Sequence, residues 1–214
     1  MITRPMITTV AGLAMLLLTQ ITVAAVDPDP AAAQKLVQDT QQKMLDEIKH
    51  QKTELATDTK KLYKIVDDIV FPHFNFERMS RLVLGKHWNS AKPAQKEKFQ
   101  QEFKRLLLRT YANAMLGYSD QKIVNLPLRD NSSNKEDVTI RTEIHQNSGF
   151  PIPIDYQLAW EKGAWKVYDV KIDDVSLVLN YRTSFSTEIR QGGMDLLLKK
   201  LAGRNQDVAS DAKK

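Results

Sequence analysis

The chain has 214 residues, enough for one domain with a sizeable core, and 27% of them are charged. It contains no Cys, which excludes disulfides, thiolate catalysis and a lipoprotein anchor. The formal net charge of +5 is dispersed, with no Lys/Arg block interleaved with aromatics, so a nucleic-acid groove is not expected.

Residues 1–25 read as a secretory signal peptide. Arg4 supplies the charged start, Val10 to Leu18 the apolar run, and Val23-Ala24-Ala25 a cleavage site of small residues. That run is too short for a comfortable transmembrane span, which leaves a retained anchor as the alternative. Cleavage removes Arg4, so 30 Lys+Arg face 26 Asp+Glu and the mature charge is +4. Export without a second membrane segment predicts a periplasmic or extracellular protein.

Pro30 to Gln51 reads as a first helix with Leu36, Val37, Met44, Leu45 and Ile48 as its apolar positions; its mostly polar surface places it on the outside. Asp58 can cap a second helix, Lys60 to Phe71, which Pro72 ends. Asn75 can cap a third, Phe76 to Leu84, stopped by Gly85. Pro93 opens a fourth, which runs to about Leu116 with Phe99, Phe103, Leu106, Leu107, Tyr111 and Met115 as its stripe.

After Gly117 the period falls to two. Val124, Leu126 and Leu128 mark a strand that Pro127 confines to an edge. Val138, Ile140, Thr142 and Ile144 line one face of a second strand, and Asn147-Ser148-Gly149 turns into a third. That third strand sets Ile152, Ile154, Tyr156, Leu158 and Trp160 on one face. Lys162-Gly163 makes a hairpin to a fourth strand carrying Trp165, Val167, Tyr168, Val170 and Ile172. At Asp173-Asp174 the period turns helical and continues through Val175, Leu177, Val178, Leu179, Tyr181, Phe185 and Ile189 to a break at Gly192-Gly193. A last apolar stripe ends near Leu201, and residues 205–214 read as a disordered polar tail, leaving a domain at 26–204. The fold class is α+β: a four-stranded twisted antiparallel sheet, dry on one face, with helices before and after it.

The chemistry expected of an enzyme is missing from this pattern. His50, His73, His87 and His145 share no zinc-site spacing, and there is no Gly-rich phosphate loop or nucleophile elbow. His73 as a buried acid or base competes with His73 as a packing residue at a helix end. Asp173-Asp174 as a carboxylate pair competes with a solvated turn that caps the following helix, and the turn is preferred. No catalytic residue or metal site is therefore expected. Pattern alone leaves open whether the core is filled or hollow.

Several motifs, in order, are similar to those of the MlaC family of phospholipid-binding proteins, also described as toluene-tolerance auxiliary proteins. They are Leu82-Val83-Leu84-Gly85 with Trp88, then Pro93-Ala94-Gln95, Phe99, Phe103 and Tyr111. Asp155-Tyr156-Gln157, Trp165, Tyr168-Asp169, Val175-Ser176 and Gly193-Met194-Asp195 follow. Two positions depart from the family pattern: Asp174 stands where Gly is common, and Lys92 where a Thr usually caps the fourth helix.

The resemblance implies an NTF2-like fold whose apolar cavity, between sheet and helices, holds acyl chains and leaves the headgroup in water. On this chain it makes Ile140, Ile144, Ile154, Tyr156 and Leu158 one wall, with Tyr111, Met115 and Val175 the other. Tyr111 suits the mouth. It further implies a monomeric periplasmic carrier with no cofactor, phospholipid being cargo. The partners it implies are an inner-membrane Mla ABC transporter through its MlaD component and an outer-membrane MlaA–porin complex. The competing reading is a periplasmic chaperone or adaptor without hydrophobic cargo.

Overall fold

The structure, a computed structural model, describes residues 27–116, 121–129, 134–146 and 149–211. The leader at 1–25, Gly117 and the Asn147-Ser148 turn lie outside the described residues. The elements run α1 (Pro30–Thr57), α2 (Thr59–Ile69), a 3₁₀ turn (Phe71–His73), α3 (Phe76–Leu84), α4 (Lys86–Ser90) and α5 (Pro93–Leu116). Then come β1 (Lys122–Asn125), β2 (Asp137–His145), β3 (Ile152–Glu161), β4 (Ala164–Ile172), β5 (Val175–Ser176) and α6 (Leu177–Asp211).

Helix ends follow local chemistry. Asp29 Oδ1 accepts the Ala31 N–H at 2.9 Å and starts α1. The helix does not stop at Gln51; that residue (φ −123°, ψ 20°) only kinks it, and it continues to Thr57. Asp58 caps α2 through the Lys61 N–H at 3.0 Å, and Asn75 caps α3 through the Arg78 N–H at 2.8 Å. Gly85, at φ +52°, ends α3 where a Cβ would stand 3.1 Å from the Arg182 guanidinium. Lys92 cannot accept the capping bond of α5, but its own N–H donates to Gln95 Oε1 at 2.9 Å, keeping half of a capping box.

The sheet has the order β1-β2-β3-β4-β5, each pair antiparallel, so it holds five strands and not four. The fifth arises because Asp173 (φ 51°) and Asp174 (φ 62°) both adopt the left-handed conformation of a two-residue hairpin turn, returning Val175–Ser176 against β4. This pair turns the chain without capping α6. The cap is supplied by Ser176, whose Oγ accepts the Leu179 N–H at 3.0 Å, and by buried Asp169. The Asp169 carboxylate accepts the Val170 and Val178 N–H groups at 2.8 and 3.1 Å and the Ser176 hydroxyl at 2.5 Å. Helix α6 bends at Gly193 (φ +77°) and runs to Asp211, past Asn205 where a frayed tail was expected.

Register decides the faces. Ile123 sits opposite Ile144, so β1 offers Ile123 to the dry face, while Val124 pairs with Glu143 on the other. Leu126 and Leu128 follow the end of that strand. In β4, Gln157 faces Asp169 but Leu158 faces Val167, leaving Tyr168 as the extra residue of a β-bulge. The bulge brings Trp165, Val167, Val170 and Ile172 onto one face although their spacing in sequence is uneven. Arg78 ties α3 to this region. Its guanidinium lies 3.9 Å from the Tyr168 ring centroid and pairs with Glu161 at 2.8 Å.

Candidate functional site

Among the described residues, most buried apolar side chains fall into two clusters. The larger joins the sheet to α3, α5 and α6 through Ile140, Leu158, Phe99, Phe103 and Phe185. The smaller joins α1, α2 and α5 through Met44, Ile48, Leu62, Val66 and Ala112. Between them lies a cavity of about 420 Å³, walled by members of both clusters. That volume is within the range of small-molecule sites, roughly 300–1,000 Å³.

Helix α1 forms one wall through Leu36, Val37, Thr40, Gln41, Met44, Leu45 and Ile48, three pairs and a single residue that recur once per turn. The expectation of an outer helix thus missed its role. The signal was present in the doublets at 36–37 and 44–45, but the polar doublet at 40–41 interrupted the stripe. Helix α5 adds Leu107, Leu108, Tyr111 and Ala112; α2 and the following turn add Val66, Val70, Phe71 and His73. The floor is the dry face of the sheet: Ile123, Ile144, Ile154, Tyr156, Val167, Val170 and Ile172.

Four residues expected at a lipid site from sequence line this cavity together: Tyr111, Ile144, Ile154 and Tyr156. Ile140 and Leu158 share the same sheet face but are fully enclosed in the larger cluster, at 0% exposure. The dry face is therefore filled toward its Leu158 end and hollow toward its Ile154 end. Val175 does not line the cavity. It is 55% exposed on β5, and Leu177, two residues on, faces inward instead. Met115 falls in α5, but its side chain lies outside the described residues.

Among the described lining residues there is no Asp, Glu, Lys or Arg. Their polar side chains are Thr40, Gln41, His73, Tyr111 and Tyr156. Thr40 donates to its own helix at Leu36 O, 2.7 Å away. Burial, reinforced by neighbouring Tyr181, which also shares a hydrogen bond with it, raises the Tyr111 phenol above its usual range. His73 is held below the ordinary imidazole value, first by burial and then by the charges of Lys166 and Lys43. Lys166 Nζ donates to Pro72 O at 2.6 Å, beside it. Gln41 Nε2 reaches the Tyr156 hydroxyl at 3.4 Å. Such a wall can exclude water from hydrocarbon, and its described residues offer a phosphate no Lys or Arg counter-charge. Among the described residues no cluster of three or more His, Asp or Glu could hold a metal, and no helix is long and apolar enough to cross a membrane.

The family model for the MlaC protein matches residues 38–203. The toluene tolerance protein ttg2D of Pseudomonas putida is 28% identical over 177 residues, 82% of this chain and 79% of that protein. The intermembrane phospholipid transport system binding protein MlaC of Haemophilus influenzae is 29% identical over 170 residues, 78% of each. A solved structure, the phospholipid-binding protein from Ralstonia solanacearum in complex with a phospholipid, matches the fold with a TM-score of 0.76. It is 31% identical, and the match covers 83% of this chain and 98% of that one. With the family match spanning both helical and sheet halves, and the fold in agreement, the chain belongs to the MlaC protein family.

Proposed function

We propose that this protein is a periplasmic phospholipid carrier that lodges acyl chains in the cavity between α1, α5 and the sheet and leaves the headgroup in water. The observation that carries this reading is a cavity of about 420 Å³ whose described lining residues include no carboxylate, ammonium or guanidinium. The relatives named for phospholipid binding and transport support it. The protein then shuttles lipid between outer and inner membranes and so serves outer-membrane lipid asymmetry. Its docking partners are the MlaA–porin complex on one side and the MlaD component of the inner-membrane transporter on the other.

Energetics favour a carrier that hands over directly. Moving about fourteen methylenes from water into the cavity is worth roughly 11 kcal/mol per tail. Two tails exceed the practical ceiling of non-covalent affinity, about 18–21 kcal/mol, before costs are subtracted. A loaded lipid therefore does not leave through water. Against a bilayer or another apolar cavity the tails stay dry and the exchange is near neutral, so partners set the direction.

Native mass spectrometry of protein purified from the periplasm, followed by organic extraction, tests the reading. Phospholipid bound in stoichiometric amount is the expected result. Protein isolated folded and empty, which also fails to take lipid from vesicles, would favour the adaptor reading.

A further inference from the structure

Among the described residues, the large apolar side chains left exposed are Phe150 at 92%, Leu179 at 60% and Val175 at 55%. Scattered singly, such residues need no explanation, but these three are neighbours in the fold. Phe150 precedes β3 by two residues, and Val175 and Leu179 follow the turn between β4 and β5. That turn is tied to the start of β3, where the Asp173 N–H donates to Pro153 O at 3.0 Å. All three side chains therefore belong to one end of the sheet, and it is the hollow end.

The pairing register joins this end to the cavity. Ile154 faces Ile172 across β3 and β4, and Ile172 faces Val175 across β4 and β5. Directly opposed residues turn their side chains to the same face of a sheet. One row thus runs from Ile154 and Ile172, which line the cavity, to Val175, which does not. At β5 the dry face comes out into solvent. Just beyond, the first turn of α6 sends Leu177 into the cavity and leaves Leu179 outside. The charges here do not build an electrostatic site: Asp173 and Asp174 occupy the turn, and Lys171 stands opposite Asp155 in the register. Three side chains also fall well short of the roughly 800 Å² per partner of a standard protein interface. A bilayer needs no complementary shape, only apolar side chains that enter at its headgroup boundary, where an aromatic ring is favoured.

We propose that Phe150, Val175 and Leu179 form an insertion tip, which enters the headgroup boundary of a phospholipid bilayer and brings the dry face of the sheet into line with its hydrocarbon. This rests on the carrier reading above. The tip supplies an apolar path by which a tail passes between bilayer and cavity without crossing water. The two Asp of the turn keep insertion shallow, and the contact draws on apolar burial and not on headgroup charge.

Flotation with phosphatidylcholine vesicles tests the tip. Wild type carrying its lipid is expected to float with the vesicles, equally in low and high salt. Combining Phe150→Ser with Leu179→Ser is expected to weaken vesicle binding roughly tenfold or more. Lipid transfer between vesicles should slow to match, while the phospholipid content of the purified variant stays unchanged. A second measurement uses the absence of Cys from the chain. A single environment-sensitive dye on Leu179→Cys should shift its emission to the blue on vesicles, and the same dye on Glu97→Cys, exposed on α5, should not. Undiminished flotation of the double variant would overturn the assignment, as would flotation that high salt abolishes. A dye at position 179 that stays in water, or one that shifts equally at both positions, counts against it too. Loaded wild type that never floats would also sink the tip and leave a protein partner as the occupant. Wild type that holds no phospholipid and takes none from the vesicles would instead remove the carrier reading, and the tip with it.

Discussion

Leu158 and Ile154 occupy the same face of one strand, two residues apart, yet one meets packed side chains and the other borders a void. Truncation should separate them. Leu158→Ala is expected to cost about 2–5 kcal/mol, with or without lipid, because the surrounding core cannot collapse fully. Ile154→Ala removes contacts to the cavity and should cost the loaded protein less than about 1.5 kcal/mol, since a fluid tail fills the gap. Equal losses in urea melts of loaded protein would place Ile154 in the filled core. His73 makes a second residue-scale prediction. Its imidazole protonates less readily in the folded chain than at its ordinary value of 6.5. Below pH 6.5 the unfolded chain therefore binds more protons, and this contribution to stability falls as pH drops toward the folded value. His73→Gln should flatten that acid slope of the denaturation midpoint. An unchanged slope would mean that His73 already protonates freely when folded.

At the scale of elements, the passage from β4 to α6 depends on one carboxylate. Asp169 gathers two backbone N–H groups and the Ser176 hydroxyl, all buried, and so joins the end of the sheet to the first turn of the last helix. Asp169→Ala strands those donors and is expected to destabilise the protein by about 2–4 kcal/mol. Asp169→Asn keeps one acceptor and should fall between. Thermal melts showing loss below 0.5 kcal/mol for the alanine variant would mean that water replaces the carboxylate. The adjoining turn carries its own strain, with Asp173 and Asp174 both at positive φ. Asp accepts that conformation more readily than most residues, so the two positions, read in sequence as a turn, make that turn in the fold while Ser176 and Asp169 cap the helix.

For the whole molecule, the decisive feature is that burial splits into two clusters with a space between. Filling that space should compete with cargo. Ala112 is 1% exposed and lies on the α5 wall, so Ala112→Trp is expected to yield folded protein with substoichiometric phospholipid. Val175→Trp, on the exposed edge of β5, should keep its full lipid content. The reverse pattern, measured by extraction of both purified variants, would move the cavity to the other side of the β5 turn.

Most elements of this fold were legible in the chain because their causes are local. Asp58, Asn75 and Gly85 mark helix ends through bonds made within a few residues, Pro93 opens α5 without needing one, and strict alternation in β2 announces which side chains turn inward. The bulge at Tyr168 and the short β5 were hidden, since each needs a partner strand to define it. The site was half legible for the same reason. Periodicity assigns Ile140, Ile144, Ile154, Tyr156 and Leu158 to one face, but whether a face meets protein or empty space depends on how far away the opposing helix lies. That distance is set by α1, whose apolar stripe the polar pair Thr40-Gln41 disguised. Sequence by itself determined the dry face and the helices that cover it. Only tertiary packing, by leaving a space beside the contacts that join the two clusters, decided which part of that face stays hollow.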